Sequence, residues 1–239
     1  METTQFRDRF AAGRFLADKL AHYRNQSGVI VLALPRGGVP VAFEIAESLD
    51  APLDVFIVRK LGVPGYEELA MGAIASGGVR VLNEEVIQHL GISETWINAI
   101  AAQEQEELER REQLYRGDRP PLEICGHTAI LVDDGLATGS SMRAAVRALR
   151  LMHPARIVVA VPVAARDTCD QFRAEVDEII CGKTPEPFLA VGRWYADFRP
   201  TTDGEVCKLL NHAAHQRRAK HVQAEKAGSR EMLQVGKTN

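Results

Sequence analysis

No apolar run in this sequence approaches the ~20 residues of a membrane-spanning helix, so no span is expected. The opening METTQFRDRF has no apolar segment of the kind a secretory signal carries. Cysteine is scarce and scattered: Cys125, Cys169, Cys181 and Cys207 form no CxxC pair. That spacing suggests neither a zinc site nor a disulfide framework, and a reduced, cytoplasmic protein is expected. A large charge excess is missing too. The formal net charge of −3 argues against broad electrostatic contact with nucleic acid. The GKT triplets at 182–184 and 236–238 lack the earlier glycine of GxxxxGK[ST], which excludes a nucleotide P-loop, and "PRGGVP" lacks the spacing of a dinucleotide fingerprint. No internal repeat is visible.

What is present suits one α/β domain: 239 residues, 46% apolar and 26% charged, can bury a full core and stay soluble. Phe6, Phe10, Phe15, Leu16 and Leu20 recur at helical spacing within residues 5–24. "GVIVLAL" (28–34) reads as a buried strand ended by Pro35, "VPVAFEIAESL" (39–49) as a helix and "LDVFIVRK" (53–60) as a strand. Strand, helix, strand over so short a stretch is a βαβ unit, hence a parallel pair. Residues 61–78 are glycine-rich and irregular, which predicts a long loop, either functional or disordered. A helical insertion at about 83–120 follows. Its long helix (92–115) is N-capped by Ser93, stapled by Ile92 and Ile97, and braced by Glu106–Arg110 and Glu107–Arg111 pairs across its surface. It is also the candidate arm for a homodimer. Strands at 128–134, 156–163 and 176–181 and a helix at 140–152 complete a doubly wound, mainly parallel sheet. Thr202 and Glu205 form a capping box before the last helix. The domain is expected to end near residue 214, leaving 215–239 as a frayed or disordered polar tail.

The chemistry concentrates in "ILVDDGLATGSSM", residues 130–142. In an open parallel sheet ligands bind beyond the carboxyl ends of the strands, which is where Asp133 and Asp134 fall. Gly135 and Gly139 let successive N–H groups turn inward, Thr138, Ser140 and Ser141 add hydroxyls, and a helix begins there. Together these form a cradle for a monophosphate. The carboxylates would repel that anion, so their partners are sugar hydroxyls, a magnesium ion's water shell or a developing cation. A phosphate beside hydroxyls describes a ribose 5-phosphate. The plainer alternative is a strand–turn–helix junction in which Asp134 caps the helix.

The stretch resembles the phosphoribosyl pyrophosphate (PRPP) motif of type I phosphoribosyltransferases, and the chain as a whole is similar to a bacterial group of that family. The resemblance implies a flexible catalytic loop at 61–78 and a small hood at about 182–202 around the core. It implies that Asp133 and Asp134 bind the ribose hydroxyls and that Gly135, Leu136, Ala137, Thr138, Gly139 and Ser140 hold the 5-phosphate. "LALPRGGVPVAFEIA" resembles the family's pyrophosphate loop, assigning Arg36, Gly37 and Gly38 to pyrophosphate, with a non-proline cis peptide expected near Pro35–Gly37. "FIVRKLGVPGYEELAMG" resembles the end of the second strand and the catalytic loop, so Arg59 and Lys60 would neutralise pyrophosphate and Glu67 or Glu68 would act as base. "TPEPFLAVGRWYADF" resembles the hood, where Phe188, Trp194, Tyr195, Asp197 and Phe198 would meet the base. An Asp of the 6-oxopurine enzymes is replaced by Ala137, and their base-reading Lys has no counterpart in "VVAVPVAAR". The implied activity is transfer of the 5-phosphoribosyl group from PRPP to a small nitrogenous base, with Mg²⁺ held mainly by PRPP rather than by the protein. A PRPP- or nucleotide-sensing regulator on the same fold, or hydrolysis or phosphorolysis at the same site, remains open.

Overall fold

The computed structural model describes residues 5–63, 65–121 and 123–235, with side chains throughout except at 66–68 and 221–235. In chain order the elements are α1 (Arg9–Lys19), β1 (Val29–Ala33), α2 (Gly38–Leu49), β2 (Leu53–Val55), β3 (Val58–Val63), β4 (Tyr66–Ala75), β5 (Val79–Leu82), α3 (Glu84–Leu90), α4 (Glu94–Arg116), β6 (Thr128–Val132), α5 (Ser140–Arg150), β7 (Arg156–Val163), α6 (Arg166–Phe172), β8 (Glu178–Lys183) and α7 (Asp203–Val235).

Five strands form a sheet in the order β2-β1-β6-β7-β8, and every neighbouring pair is parallel. Both faces are covered, so the strands carry continuous apolar runs: all five residues of β1 are buried. Alternate side chains serve opposite faces. Val31, Ile130, Val132 and Val158 pack with α1, α2, α4 and α7, while Leu32, Leu131, Val159 and Val161 pack with α5 and α6. Phe172 of α6 is fully buried in that second layer. Its replacement by Ala would cost about 3–5 kcal/mol.

The stretch 53–60 is not one strand. It leaves the parallel sheet after Val55 and re-enters a second, antiparallel sheet, β3-β4-β5, at Val58. The segment expected as one mobile loop (61–78) is therefore largely a ribbon. In β3 Leu61 and Val63 are buried against the first core, the alternation of a strand with one covered face. Glycines obscure that alternation in the sequence. One of them, Gly72, sits in β4 where a β-carbon would lie 2.4 Å from the Val81 carbonyl oxygen. The side chains of Glu67 and Glu68, the expected bases, lie outside the described ones.

The insertion is clamped rather than loosely draped. Arg116 at the end of α4 meets Asp54 of β2 at 3.2 Å with both side chains largely buried, Arg59 meets Glu104 at 2.6 Å, and the Tyr115 hydroxyl donates to Asp203. Ser93 caps α4 as expected, accepting from the Trp96 N–H. The expected Glu106–Arg110 pair is replaced: Glu107 takes both Arg110 and Arg111. Thr202 and Glu205 form the reciprocal capping box, at 2.7 and 3.2 Å. The last helix runs on from Asp203 past residue 214 to Val235. The sequence also leaves α6 unassigned. Packing of α6 against β8 brings Cys169 and Cys181, twelve apart in sequence, into a disulfide with Cα atoms 6.5 Å apart, correcting the expectation that no cysteines pair.

Candidate functional site

At the carboxyl end of β6 the chain makes one more contact with β7 before leaving the sheet. The Leu136 N–H donates to Val163 O, and Leu136 O accepts from Ala165 N–H. This corrects the expected role of Leu136: its amide is spent on the sheet and its side chain is buried. The remaining turn is open. The N–H groups of Ala137, Thr138, Gly139 and Ser140 donate to no acceptor among the described residues, while the Thr138 and Ser140 hydroxyls lie 3.1 Å apart. Gly139 has φ +75°, a left-handed conformation that turns these groups toward one side. Behind the turn, Thr168 of α6 donates to Ala137 O at 2.6 Å and Arg143 to Thr138 O at 2.9 Å. Two carbonyls are thus satisfied while four successive amides have no acceptor among the described residues. Such an array at the start of a helix favours an anion.

Asp134 does not cap α5. The cap position is Gly139, with no side-chain hydrogen bond. Instead Asp134 Oδ2 receives both Nε and Nη2 of Arg9 at 2.8 Å, and the Asp134 carbonyl accepts from the Tyr195 hydroxyl at 2.5 Å. Asp133 Oδ1 accepts from the Asp134 N–H. Both acids are half-buried at the strand tip rather than sealed in the core. Burial pushes the Asp133 carboxyl well above the usual range, and the neighbouring Asp134 charge adds to the rise. Burial also raises Asp134, but the Arg9 guanidinium opposes that rise. Sequence reasoning missed Arg9, which lies 125 residues from its partner.

The second loop packs directly onto the acids. A β-carbon on Gly37 would lie 2.1 Å from Asp134 Oδ2, so only glycine fits there. The Pro35–Arg36 peptide is cis and non-proline, at the position the family resemblance implies. Gly38 N–H is spent on Leu34 O, so it has no free amide to offer a pyrophosphate, whereas Arg36 and Gly37 N–H groups have no acceptor among the described residues. The Arg36 side chain is half exposed, with Nη1 3.6 Å from Asp203. Lys60 and Arg59 part company on β3. Lys60 lines a 220 Å³ cavity together with Ser140 and Arg147, next to the phosphate turn, whereas Arg59 is held by Glu104 of α4.

The hood contributes less open surface than expected. Tyr195 is buried and packs with Phe6 and Phe198, so it offers no face to a base, and burial raises its hydroxyl pKa strongly. Phe188, Val191 and Trp194 are half-buried in the same small core, where Trp194 donates to Phe188 O. Phe198 is covered by the Arg9 guanidinium at 4.0 Å. Asp197 is engaged by Arg199 at 2.6 Å, which holds its carboxyl down at about 2. These groups serve the hood's own packing. Val191 lies over Gly135, and a 720 Å³ cavity opens beside Arg9, Asp197 and Thr201.

A family model for the phosphoribosyl transferase domain matches residues 3–185. The chain belongs to that family. Proteins from two strains of Mycobacterium tuberculosis, provisionally named phosphoribosyl transferases, are each 45% identical over 208 residues, 87% of this chain and 47% of theirs. The chain therefore spans about half the length of these curated relatives. The crystal structure of TT1426 from Thermus thermophilus superposes with a TM-score of 0.78 at 40% identity, covering 87% of this chain and 98% of that one. The bifunctional protein PyrR of Chloroflexus aurantiacus is 34% identical over 136 residues, 53% of this chain and 65% of that one. The family membership and the doubly wound parallel fold expected from the motif are both borne out. Among the described residues no helix is long and apolar enough to cross a membrane.

Proposed function

We propose that the protein transfers the 5-phosphoribosyl group of PRPP to a nitrogen of a small base and releases pyrophosphate. One observation carries the reading: two adjacent carboxylates stand between an open phosphate turn and the Pro35–Gly38 loop, with Gly37 against Asp134. A ribose seated on Asp133 and Asp134 would set its 5-phosphate over Ala137–Ser140 and its C1 pyrophosphate toward Arg36 and Gly37.

Breaking the C1–O bond gathers positive charge on the sugar, and fixed carboxylates stabilise that charge without reorganising. Arg36 is the cation in the loop that would face the departing pyrophosphate, while Lys60 lies with Ser140 and Arg147 beside the turn. Among the described residues no group of three His, Cys, Asp or Glu side chains is placed to hold a metal. Two adjacent carboxylates fit a Mg²⁺ ion that arrives on PRPP and touches Asp133 or Asp134 through its water shell. Bound there, the ion would neutralise leaving-group charge.

Arg59 favours a second reading. Its pairing with Glu104 removes one expected pyrophosphate cation, as suits a protein that senses PRPP or a nucleotide without transfer. Pyrophosphate release from PRPP and Mg²⁺, measured against a panel of bases, separates the two. Release that depends on one base supports transfer. PRPP binding without release for any base supports sensing, and release without a base means hydrolysis.

A further inference from the structure

Arg9 comes from the N-terminal helix, outside every motif that carries the proposed reaction, yet its guanidinium is held on all sides. Nε and Nη2 reach Asp134 Oδ2 at 2.8 Å, Nη1 donates to Arg199 O at 2.8 Å, and the plane lies 4.0 Å from the Phe198 ring centroid. Its side chain is 10% exposed and that of Asp134 is 16% exposed. A planar fork fixed at three points can fix its partner in turn.

We propose that Arg9 is a positioning residue that orients the Asp134 carboxylate to accept the ribose hydroxyls. This rests on the ribose-binding reading above. With Oδ2 taken by Arg9, Oδ1 accepts from no other residue among those described and is left for ligand. The other groups facing Asp134 cannot replace this hold. Asp133 carries like charge, Tyr195 donates only to the backbone carbonyl, and Gly37 brings no side chain. Among the described residues Arg9 is the only cation in ion-pair contact with either acid. Burial drives both carboxyls toward their neutral forms, and the Arg9 charge counters this at Asp134.

The test is calorimetric binding of ribose 5-phosphate to the full chain, as wild type, Arg9→Ala and Arg9→Lys. Losing the partner of a charged hydrogen-bond acceptor predicts about 10–100-fold weaker binding for Arg9→Ala. Arg9→Lys keeps the charge but not the fork and should fall between the two. Arg9 lines the 720 Å³ cavity, so free guanidinium at a low, non-denaturing concentration can reach the vacated place. It should restore binding to Arg9→Ala and leave the wild type unaffected, a response that a merely structural arginine would not give. Wild-type or tighter affinity in Arg9→Ala overturns the proposal, and tighter affinity would mean that Arg9 competes with the sugar. Should Arg9→Ala fail to fold, wild-type affinity in Arg9→Lys overturns it instead. No binding by the wild type overturns both this proposal and the ribose site beneath it.

Discussion

The turn at 135–140 and the hood at 188–198 both sit beyond the carboxyl ends of the strands, but they differ in what their polar side chains meet and in how their carbonyls are held. The turn receives Thr168 and Arg143 on two carbonyls, its two hydroxyls meet each other, and the N–H groups of residues 137–140 have no acceptor among the described residues. The hood's named side chains are engaged, Trp194 on Phe188 O, Tyr195 on Asp134 O and Asp197 with Arg199, although the N–H groups of residues 188–192 also have no acceptor among the described residues. Four successive N–H groups without an acceptor among the described residues, set at the start of α5, make an array that suits an anion. The turn is therefore the proposed binding surface, and the hood's named aromatics chiefly pack its small core.

The comparison can be broken most severely at the acids. Replacing both Asp133 and Asp134 by Asn removes two charged acceptors, each worth about 1.5–3 kcal/mol, and should weaken ribose 5-phosphate at least ~100-fold by calorimetry. Affinity within threefold of wild type would mean the sugar sits elsewhere. Gly139→Ala comes next. It forces a side chain into a left-handed conformation and against Phe172, and should cost about 1–3 kcal/mol in urea unfolding while weakening phosphate binding.

Asp133→Asn sharpens the contrast in the other direction. Its folded carboxyl titrates well above the unfolded one, so the folded state keeps its proton to higher pH. The resulting penalty is absent below the unfolded value of ~3.9 and grows as pH rises toward the folded value. The variant should therefore be more stable than wild type at neutral pH and equal to it in strong acid. Thermal unfolding across pH measures this, and equal stability at every pH would mean the buried charge costs nothing. The smallest effect is expected in the hood: Trp194→Ala should change ribose 5-phosphate affinity by less than about twofold, because truncating a side chain away from the ligand leaves its hydrogen bonds intact. A larger loss would make the hood part of the sugar site.

Much of the fold was legible because its signals are local. Continuous apolar runs of five to eight residues mark β1 and β7, Ser93 and Thr202 mark helix starts, and each needs only near neighbours to act. The ribbon was not legible, since Gly62, Gly65, Gly72, Gly77 and Gly78 read as a loop, and only the ladder across β3, β4 and β5 makes them a sheet. The alternative of Asp134 as a helix cap also stayed open until the structure gave that place to Gly139 and the carboxylate to Arg9.

By itself the sequence determined that two acids, a turn and a helix follow one another at 130–142, because chain connectivity sets that order whatever else happens. Only tertiary structure decided which donors remain open, since Leu136 and Gly38 lose their amides to distant or adjoining backbone while Ala137 through Ser140 do not. It also decided what faces the acids. Arg9, Gly37 and Tyr195 lie far from Asp134 along the chain, and packing alone brings a cation, a bare backbone and a hydroxyl to one carboxylate.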